Sequence, residues 1–482
     1  MMMEDDALLA STKAPPPKPL WPRAAVAAGT IAVAGVALFA STELHGIPAL
    51  HATPRTMAGE RVAATIRLAD DPPTGHAVAP YPASAGTLPP GSPLAGAFTG
   101  SPESRLINIY RAIGAQKTDV AIDAAAALTH DVPSFKLAQL VYADLLTARM
   151  GGSPRFGVPA DKAAGGDPAV ATQLGELRDE AQQRLQALSE RPPAGMVPAE
   201  FIVLPKAVHH AIAVDTSRSR LYLFENGAHG VRLVSDHYVS VGKQGVDKSV
   251  EGDQRTPLGV YFVSDRMAAG SLGAEFGAGA MQLNYPNLFD KLHGRTGSGI
   301  YVHGVPFNTY SRPPKDSDGC VTLANDELVM LMNTVPIHDT PVIITKKIHW
   351  VSDNATQVHS AEILDAVNHW QSVRTGDDIA ALNAFYEPGA APPTPAAPPV
   401  APPQATVVMI HGKRHVIPPP AVAPKDPISF DNLSVMTWSD EKETMVVTFN
   451  ERGTRTHRET MLRQYWERDA AKWKIVAEGT VR

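Results

Sequence analysis

Cys320 is the only cysteine among 482 residues and lies in Ser317-Asp318-Gly319-Cys320-Val321-Thr322-Leu323. Upstream, the apolar run Ile300-Tyr301-Val302 ends in His303-Gly304. A thiol is a strong nucleophile only as the thiolate, so it needs a base or a positive neighbour. His303 and Cys320 lie close enough in sequence to face each other across one loop, as base and nucleophile. The chemistry open to such a pair is acyl transfer through a thioester. Gly319 removes a side chain where a substrate carbonyl must approach. The N–H groups of Gly319 and Cys320 are candidates for stabilising a developing oxyanion. Gly304 leaves its carbonyl accessible to the second imidazole nitrogen. The competing reading is a small buried apolar cysteine without a chemical role. A single cysteine excludes an internal disulfide framework, and no His/Cys/Asp cluster has metal-ligand spacing, so neither a metal nor a cofactor is expected.

The elements that must position this pair read as mostly β. His209–Val214, Arg220–Phe224 and Val231–Val241 have strand patterning, with Glu225-Asn226-Gly227 as the hairpin turn between the last two. Thr256-Pro257-Leu258-Gly259 is a turn opening a strand, and Ser298–Val305 and Val342–Ile348 are further strands. Asn325–Met332 reads as a helix with Asn325 as its N-cap. Together these make one domain over 200–348, roughly 150 residues with Gly-rich loops.

The length allows roughly two to four domains. The net charge of −6 gives no basic footprint for nucleic acid. Ala24–Thr42 carries no charge and has the length of a membrane-spanning helix. Lys13, Lys18 and Arg23 precede it, which keeps residues 1–23 cytoplasmic and sends the rest outward. The expectation is a single-pass inner-membrane protein with its bulk in the periplasm. A secreted periplasmic protein after signal cleavage is the alternative. Residues 43–101, rich in Pro, Ala and Gly, read as a disordered spacer. Leu106, Ile109, Tyr110 and Ile113, then Leu137, Leu140, Val141 and Leu145, recur at helix spacing and point to a small α-helical domain over 102–193. After 358 come helices at Ala361–Arg374 and Asp377–Tyr386, a Pro-rich insert at 387–426 read as a linker, and strands at Phe430–Trp438, Thr444–Glu451, Thr456–Arg468 and Trp473–Glu478.

Four segments in order carry a family resemblance: Gly252-Asp253-Gln254-Arg255-Thr256-Pro257-Leu258-Gly259, Asn284-Tyr285-Pro286-Asn287 leading into Gly294-Arg295-Thr296-Gly297, His303-Gly304, and Ser317-Asp318-Gly319-Cys320. The region resembles the YkuD-like L,D-transpeptidase catalytic domain. The resemblance implies a β-sandwich-like fold and peptidoglycan stem peptides as substrate. It makes Cys320 the nucleophile and His303 its base, with the Gly304 carbonyl orienting His303 and the Gly319 and Cys320 N–H groups lining the oxyanion site. The cysteine would attack the amide between a third-position diamino acid and terminal D-Ala, then pass the acyl group to a neighbouring amine in a 3→3 cross-link. Two positions depart from the pattern. Asp318 stands where many members have His, and Thr322 where many have Arg. A carboxylate facing the sulfur would oppose the thiolate, so Asp318 is expected to point away or to meet a substrate amine. Arg295, Arg312 or Lys315 would substitute for the missing Arg, and Ser317 and Tyr285 join Asp318 as candidate substrate contacts. His293 is expected to be exposed.

Residues 358–482 resemble the nuclear-transport-factor-2-like cone, on Arg463-Gln464-Tyr465-Trp466-Glu467-Arg468 and Lys472-Trp473-Lys474-Ile475-Val476. That resemblance implies a binding or positioning module, with a cell-wall protein as a possible partner and Trp370, Trp466 and Trp473 in its core. Two further readings remain open at this stage. The same Cys/His pair could hydrolyse, as a carboxypeptidase or a murein–lipoprotein amidase, or the chain could be an idle cell-wall scaffold.

Overall fold

The structure is a computed structural model that describes residues 97–152, 168–190, 192–352, 360–390, 406–410, 413–417, 427–470 and 472–481. The chain divides into Met1–Pro80 and Tyr81–Arg482, and every described residue belongs to the second unit. The 1–23 tail, the 24–42 apolar segment and most of the 43–101 spacer therefore lie outside the described residues. No helix among the described residues is long and apolar enough to cross a membrane.

Four helices form the helical region: Pro102–Gly114, Thr118–Asp131, Lys136–Arg149 and Pro168–Ser189. The first starts where Pro102 takes an early position that lacks an N–H partner anyway and the Ser101 hydroxyl accepts from Ser104 N. Leu106, Ile109, Leu128, Phe135, Leu137 and Val141 meet in one core, as the 3.6-residue period requires. Ala97, at the end of the stretch read as spacer, is buried in the same core.

The central sheet has eight strands. Their order is Val321–Thr322, Tyr301–His303, Gly279–Leu283, Gly259–Ala268, Pro341–Thr345, His210–Asp215, Arg220–Gly227 and Gly230–Tyr238. The first pair and the Pro341–Thr345/His210–Asp215 pair are parallel; the others are antiparallel. Strand alternation divides its side chains between two cores. Ile212, Val214, Leu221, Leu223, Val302 and Val321 pack with Leu328 and Leu331 of the helix Asn325–Thr334. Ala211, Ala213, Tyr222, Phe224, Val260 and Phe262 pack against a second sheet through Met436, Trp438, Val446 and Tyr465.

That second sheet holds Lys472–Thr480, Glu459–Asp469, Thr444–Gly453 and Ile428–Trp438, with Phe201–Val203 as its last strand. Phe201–Val203, within the stretch 200–348 read as one domain, pairs instead with Ile428–Trp438 of this sheet and is too short for its pattern to announce it. Met196–Pro198 similarly pairs antiparallel with Trp350–Ser352. The outer face of the second sheet, with Val447, Phe449, Trp466, Trp473 and Ile475, is covered by Ile363, Val367 and Trp370 of the helix Ala361–Thr375. The stretch read as an inserted linker contains a hairpin, Thr406–Ile410 with Lys413–Ile417.

Two local expectations are corrected. The strand from Arg220 continues to Gly227, which pairs with Gly230, so the turn is Ala228-His229. Asn226 is not a turn residue because its amide donates to the carbonyls of Leu204, Pro205 and Val208. Asn325 is not an N-cap: Ala324 holds that position, and the Asn325 side chain is turned to a neighbouring loop.

A buried charge network joins the helical region to the central domain. Arg184 lies 2.8 Å from Glu103 and 2.9 Å from Glu180. Glu103 also meets Arg220, which pairs with Asp236. The Ser311 hydroxyl donates to Glu180 at 2.6 Å, and the Arg184 guanidinium lies over the Tyr238 ring at 3.7 Å. Removing one partner of a buried ion pair leaves an uncompensated charge. Arg184→Met should therefore destabilise the helical region by roughly 3–5 kcal/mol. Adding Glu180→Gln to that variant should recover part of the loss. Urea unfolding with hydrogen exchange of the four helices measures both; an Arg184→Met protein as stable as the parent would contradict the network's role.

Candidate active site

The site begins with a register. Val302 is opposite Val321 and His303 opposite Thr322 in the parallel pair. Cys320 is the bend residue directly before Val321, so the pairing brings the thiol to the start of the strand that lies beside His303. Thr322 is held on its other side by Ser240, with N–H to carbonyl bonds of 2.9 Å in both directions.

His303 is buried, and its Nδ1–H donates to the Gly304 carbonyl at 2.7 Å. That bond fixes the tautomer and leaves Nε2 as the acceptor. The ring packs on Phe276 at 4.7 Å between centroids. Burial pushes its pKa down to about 4; the bond to Gly304 opposes the shift and the charge of Arg312 adds to it. Cys320 Sγ lies 3.6 Å from the Gly299 carbonyl. Burial pushes its thiol up to about 11; the Tyr301 N–H lowers it, Asp318 raises it, and Arg312 and Lys248 lower it. At neutral pH the resting pair is therefore a neutral thiol and a neutral imidazole. Such a pair attacks by giving the thiol proton to Nε2 as the S–C bond forms.

The loops around the pair are held by backbone-directed side chains. Gly319 has φ +126°, and a Cβ there would stand 2.8 Å from the Arg255 carbonyl oxygen, so only glycine fits. A Cβ on Gly304 would meet Asn325 Oδ1 at 2.1 Å. Asn325 uses that space to accept from Ala278 N and Val305 N and to donate to the Val305 carbonyl. It thereby fixes the loop whose Gly304 carbonyl orients His303. Ser317 Oγ donates to the Cys320 carbonyl at 2.6 Å and accepts from Gly319 N at 3.2 Å. Ser317 thus shapes the turn, and the Gly319 N–H has a partner that a developing oxyanion would have to displace.

The remaining expected contacts separate into two groups. Arg312 stays near the pair: its charge acts on both His303 and Cys320, and its Nη1 donates to the Asp316 carbonyl. Asp318 is exposed, and its Oδ1 accepts from Lys243 at 3.2 Å and Gln254 at 2.9 Å. It is tied to the segment that covers Gly319 and makes no bond to its own backbone N–H. Lys315 is exposed on a short strand beside Val241–Gly242. Arg295 and Tyr285 are held elsewhere. Arg295 pairs with Asp290 at 3.1 Å and Glu441 at 2.8 Å, and Tyr285 is a buried core ring donating to the Thr296 carbonyl. His293 is exposed, as expected, and is also bonded: its Nδ1–H donates to the Phe289 carbonyl and its Nε2 lies 3.1 Å from Glu467.

Lys243, Lys248, Gln254, Phe276 and Asn325 were not read as site residues. Gln254 and Arg255 belong to Gly252–Gly259, one of the four segments that carry the family resemblance, and that is their signal in the sequence. Lys248 is buried 2.8 Å from Asp253 of the same segment. Nothing in the local pattern marks Asn325 as anything other than a helix start. Among the described residues no group of three or more His, Cys, Asp or Glu is placed to hold a metal ion.

Residues 209–344 match the family YkuD, L,D-transpeptidase catalytic domain. The match covers the central domain and supports an enzyme family of the L,D-transpeptidase type, which acts on peptidoglycan. No curated protein matches the chain in sequence. Among solved structures, Bd1075 of Bdellovibrio bacteriovorus is 22% identical, with a TM-score of 0.46, over 59% of this chain and 98% of that one. The helical cell shape determining protein Pgp2 of Campylobacter jejuni is 18% identical, with a TM-score of 0.43, over 61% of this chain and 97% of that one. An L,D-transpeptidase from Mycobacterium smegmatis is 15% identical, with a TM-score of 0.20, over 28% of this chain and 58% of that one.

Two pH effects follow from the burial of the pair. Alkylation of Cys320 by iodoacetamide should keep rising toward about pH 11, with no thiolate plateau below pH 9. Asp318→Asn removes a charge that opposes the thiolate and should quicken alkylation at neutral pH by roughly a few-fold. Acylation by substrate should lose its rate only as pH falls toward about 4, where the imidazole becomes protonated. Stopped-flow alkylation and single-turnover acylation across pH measure these; a plateau of alkylation at neutral pH would show a preformed thiolate instead.

Proposed function

We propose that this chain is an L,D-transpeptidase that works through a Cys320 thioester on peptidoglycan stem peptides. The observation that supports the reading is the parallel pairing of the strand that follows Cys320 with the strand that ends in His303, whose Nδ1–H is committed to Gly304 and whose Nε2 is left to accept a proton. In the proposed first step, Sγ attacks the carbonyl of the amide between a third-position diamino acid and terminal D-Ala. The thiol proton moves to His303 Nε2, and backbone N–H groups of the Gly319-Cys320 turn receive the oxyanion. His303 then returns the proton to the leaving D-Ala amine as the C–N bond breaks, leaving a thioester. In the second step an amine of a neighbouring stem attacks the thioester. His303 takes a proton from that amine and gives it to the departing sulfur, so the 3→3 amide forms and the free thiol is restored.

The wider reading extends this proposal. The neutral resting pair suits an enzyme exported to an oxidising compartment, because a thiol is less readily oxidised than a thiolate. The charge-free 24–42 stretch with basic residues before it supports a single-pass anchor in the inner membrane, with the catalytic part in the periplasm. The C-terminal curved sheet with helices on one face supports a nuclear-transport-factor-2-like module that binds or positions. Arg312 is proposed to contact substrate, and Asp318 to act through Lys243 and Gln254 on the covering segment.

Intact-protein mass spectrometry with a carbapenem should show one drug adduct on the parent protein and none on Cys320→Ala, with the fold unchanged by circular dichroism. Purified sacculi incubated with the parent protein should gain 3→3 dimers. Adduct formation with shortened stems and no dimers would make water the acceptor and the enzyme a hydrolase. A folded Cys320→Ala protein that still turns over muropeptides would remove Cys320 from the mechanism.

A further inference from the structure

Five arginines are buried among the described residues: Arg105, Arg178, Arg184, Arg220 and Arg463. The first four each pair with a carboxylate. Arg463 makes no ion pair with a described residue. It is 7% exposed, on the strand Glu459–Asp469, which turns Arg463 and Tyr465 toward the central domain. Its guanidinium lies 3.3 Å over the Phe262 ring, its Nε–H donates to Thr448 Oγ1 at 3.0 Å, and its side chain also hydrogen-bonds Tyr465. Burial pushes its pKa down to about 10, with Tyr465 opposing, so it is still charged at neutral pH. A desolvated charge without a counter-charge is costly, and proteins rarely keep one without a use for it.

Arg463 borders a cleft of about 560 Å³ between the two sheets, walled by Ser264, Asn284, Asn287, Tyr465 and Gly479. Lys291 and His338 also border it, and Lys291 likewise makes no ion pair with a described residue. The cleft's own carboxylate, Glu478, accepts bonds from the Tyr386 hydroxyl and the Gln464 amide at 2.6 and 2.7 Å. Asp339 borders an adjoining cavity of about 50 Å³ that Arg463 shares. No residue of either cavity is among those that hold Cys320 or His303.

We propose that this cleft is a binding site for a carboxylate-bearing ligand of short-peptide size, with Arg463 as the carboxylate receptor and Lys291 as a second cation at its mouth. A planar guanidinium whose partners are a hydroxyl and a phenol, not a carboxylate, can exchange a neutral bond for a two-bond fork to a carboxylate, and the volume is that of a small-ligand pocket. The carboxylate can belong to a peptide or to a free small acid. The inference stands apart from the acyl-transfer reading, because neither Cys320 nor His303 takes part.

The test uses the full chain carrying Cys320→Ala, so that no probe is turned over. Isothermal titration with the peptide Ala-Glu-Lys-Ala, its fully amidated counterpart, glutarate and inorganic phosphate identifies the ligand class. The acidic peptide should bind saturably, and the amidated form at least about tenfold more weakly. Arg463→Met should weaken the peptide by a similar factor, and Lys291→Ala by roughly threefold. Hydrogen exchange should show protection at Phe262–Ser264 and Arg463–Tyr465. Should Arg463→Met not fold, Arg463→Lys, which keeps the charge and loses the fork, should still weaken binding. Glutarate binding as tightly as the peptide assigns the site to free small acids within the same class. Phosphate binding more tightly than either, no saturable binding, binding unchanged in a folded Arg463 variant, or protection confined to the Cys320 loop would each overturn the proposal.

Discussion

The structure turns on one short parallel pairing, Tyr301–His303 beside Val321–Thr322. One strand ends in His303 and the other begins directly after Cys320, so their register sets where the imidazole and the thiol stand relative to each other. A one-residue slip would change that placement. Two strands of two or three residues hold their register poorly by themselves. Val302 and Val321 anchor it in the core, Ser240 pairs the outer edge of Thr322, and Asn325 pins the loop that follows His303.

The chain between His303 and Cys320 makes a long excursion, and the helical region holds it. The Tyr310 ring rests on Phe135 at 4.2 Å, the Tyr310 N–H donates to the Ser134 carbonyl, and Ser311 donates to Glu180. Tyr310 and Ala324 are members of the helical core itself. The helical region is thus part of the scaffold of the site, and Arg184 and Arg220 make the junction electrostatic as well as apolar. This arrangement places the site's precision on rigid elements although the reactive residues lie at loop ends.

Much of the site was legible in the chain because reactive chemistry has few residue types and glycine marks close approach. The sequence pointed to Gly304 as the partner of His303 and to Gly319 as a close approach, and the structure has the His303–Gly304 bond and a Gly319 that only glycine can fill; periodicity located the long strands and helices. The rest depended on tertiary partners. Asn325 stands where a cap is expected, yet three backbone groups of two loops, at Ala278 and Val305, take its amide. Asn226 lies in a turn-like tripeptide, yet its amide serves three carbonyls upstream. Arg295 and Tyr285 look exposed and functional in a Gly-rich stretch, but Asp290, Glu441 and the core take them. Phe201–Val203 is three residues long, and no periodicity can be read in three residues.

Phe201–Val203 closes a sheet whose other strands come after residue 428, so its partner is synthesised more than two hundred positions later. The edge of the second sheet cannot be completed by local pairing, and its formation carries the loop-closure entropy of the whole central domain. During synthesis the 201–203 segment must wait, with Phe201 and Ile202 unburied, until the last strands arrive. Once joined, the C-terminal strands cover one face of the central sheet, so their loss would expose the apolar back of the sheet that carries His303.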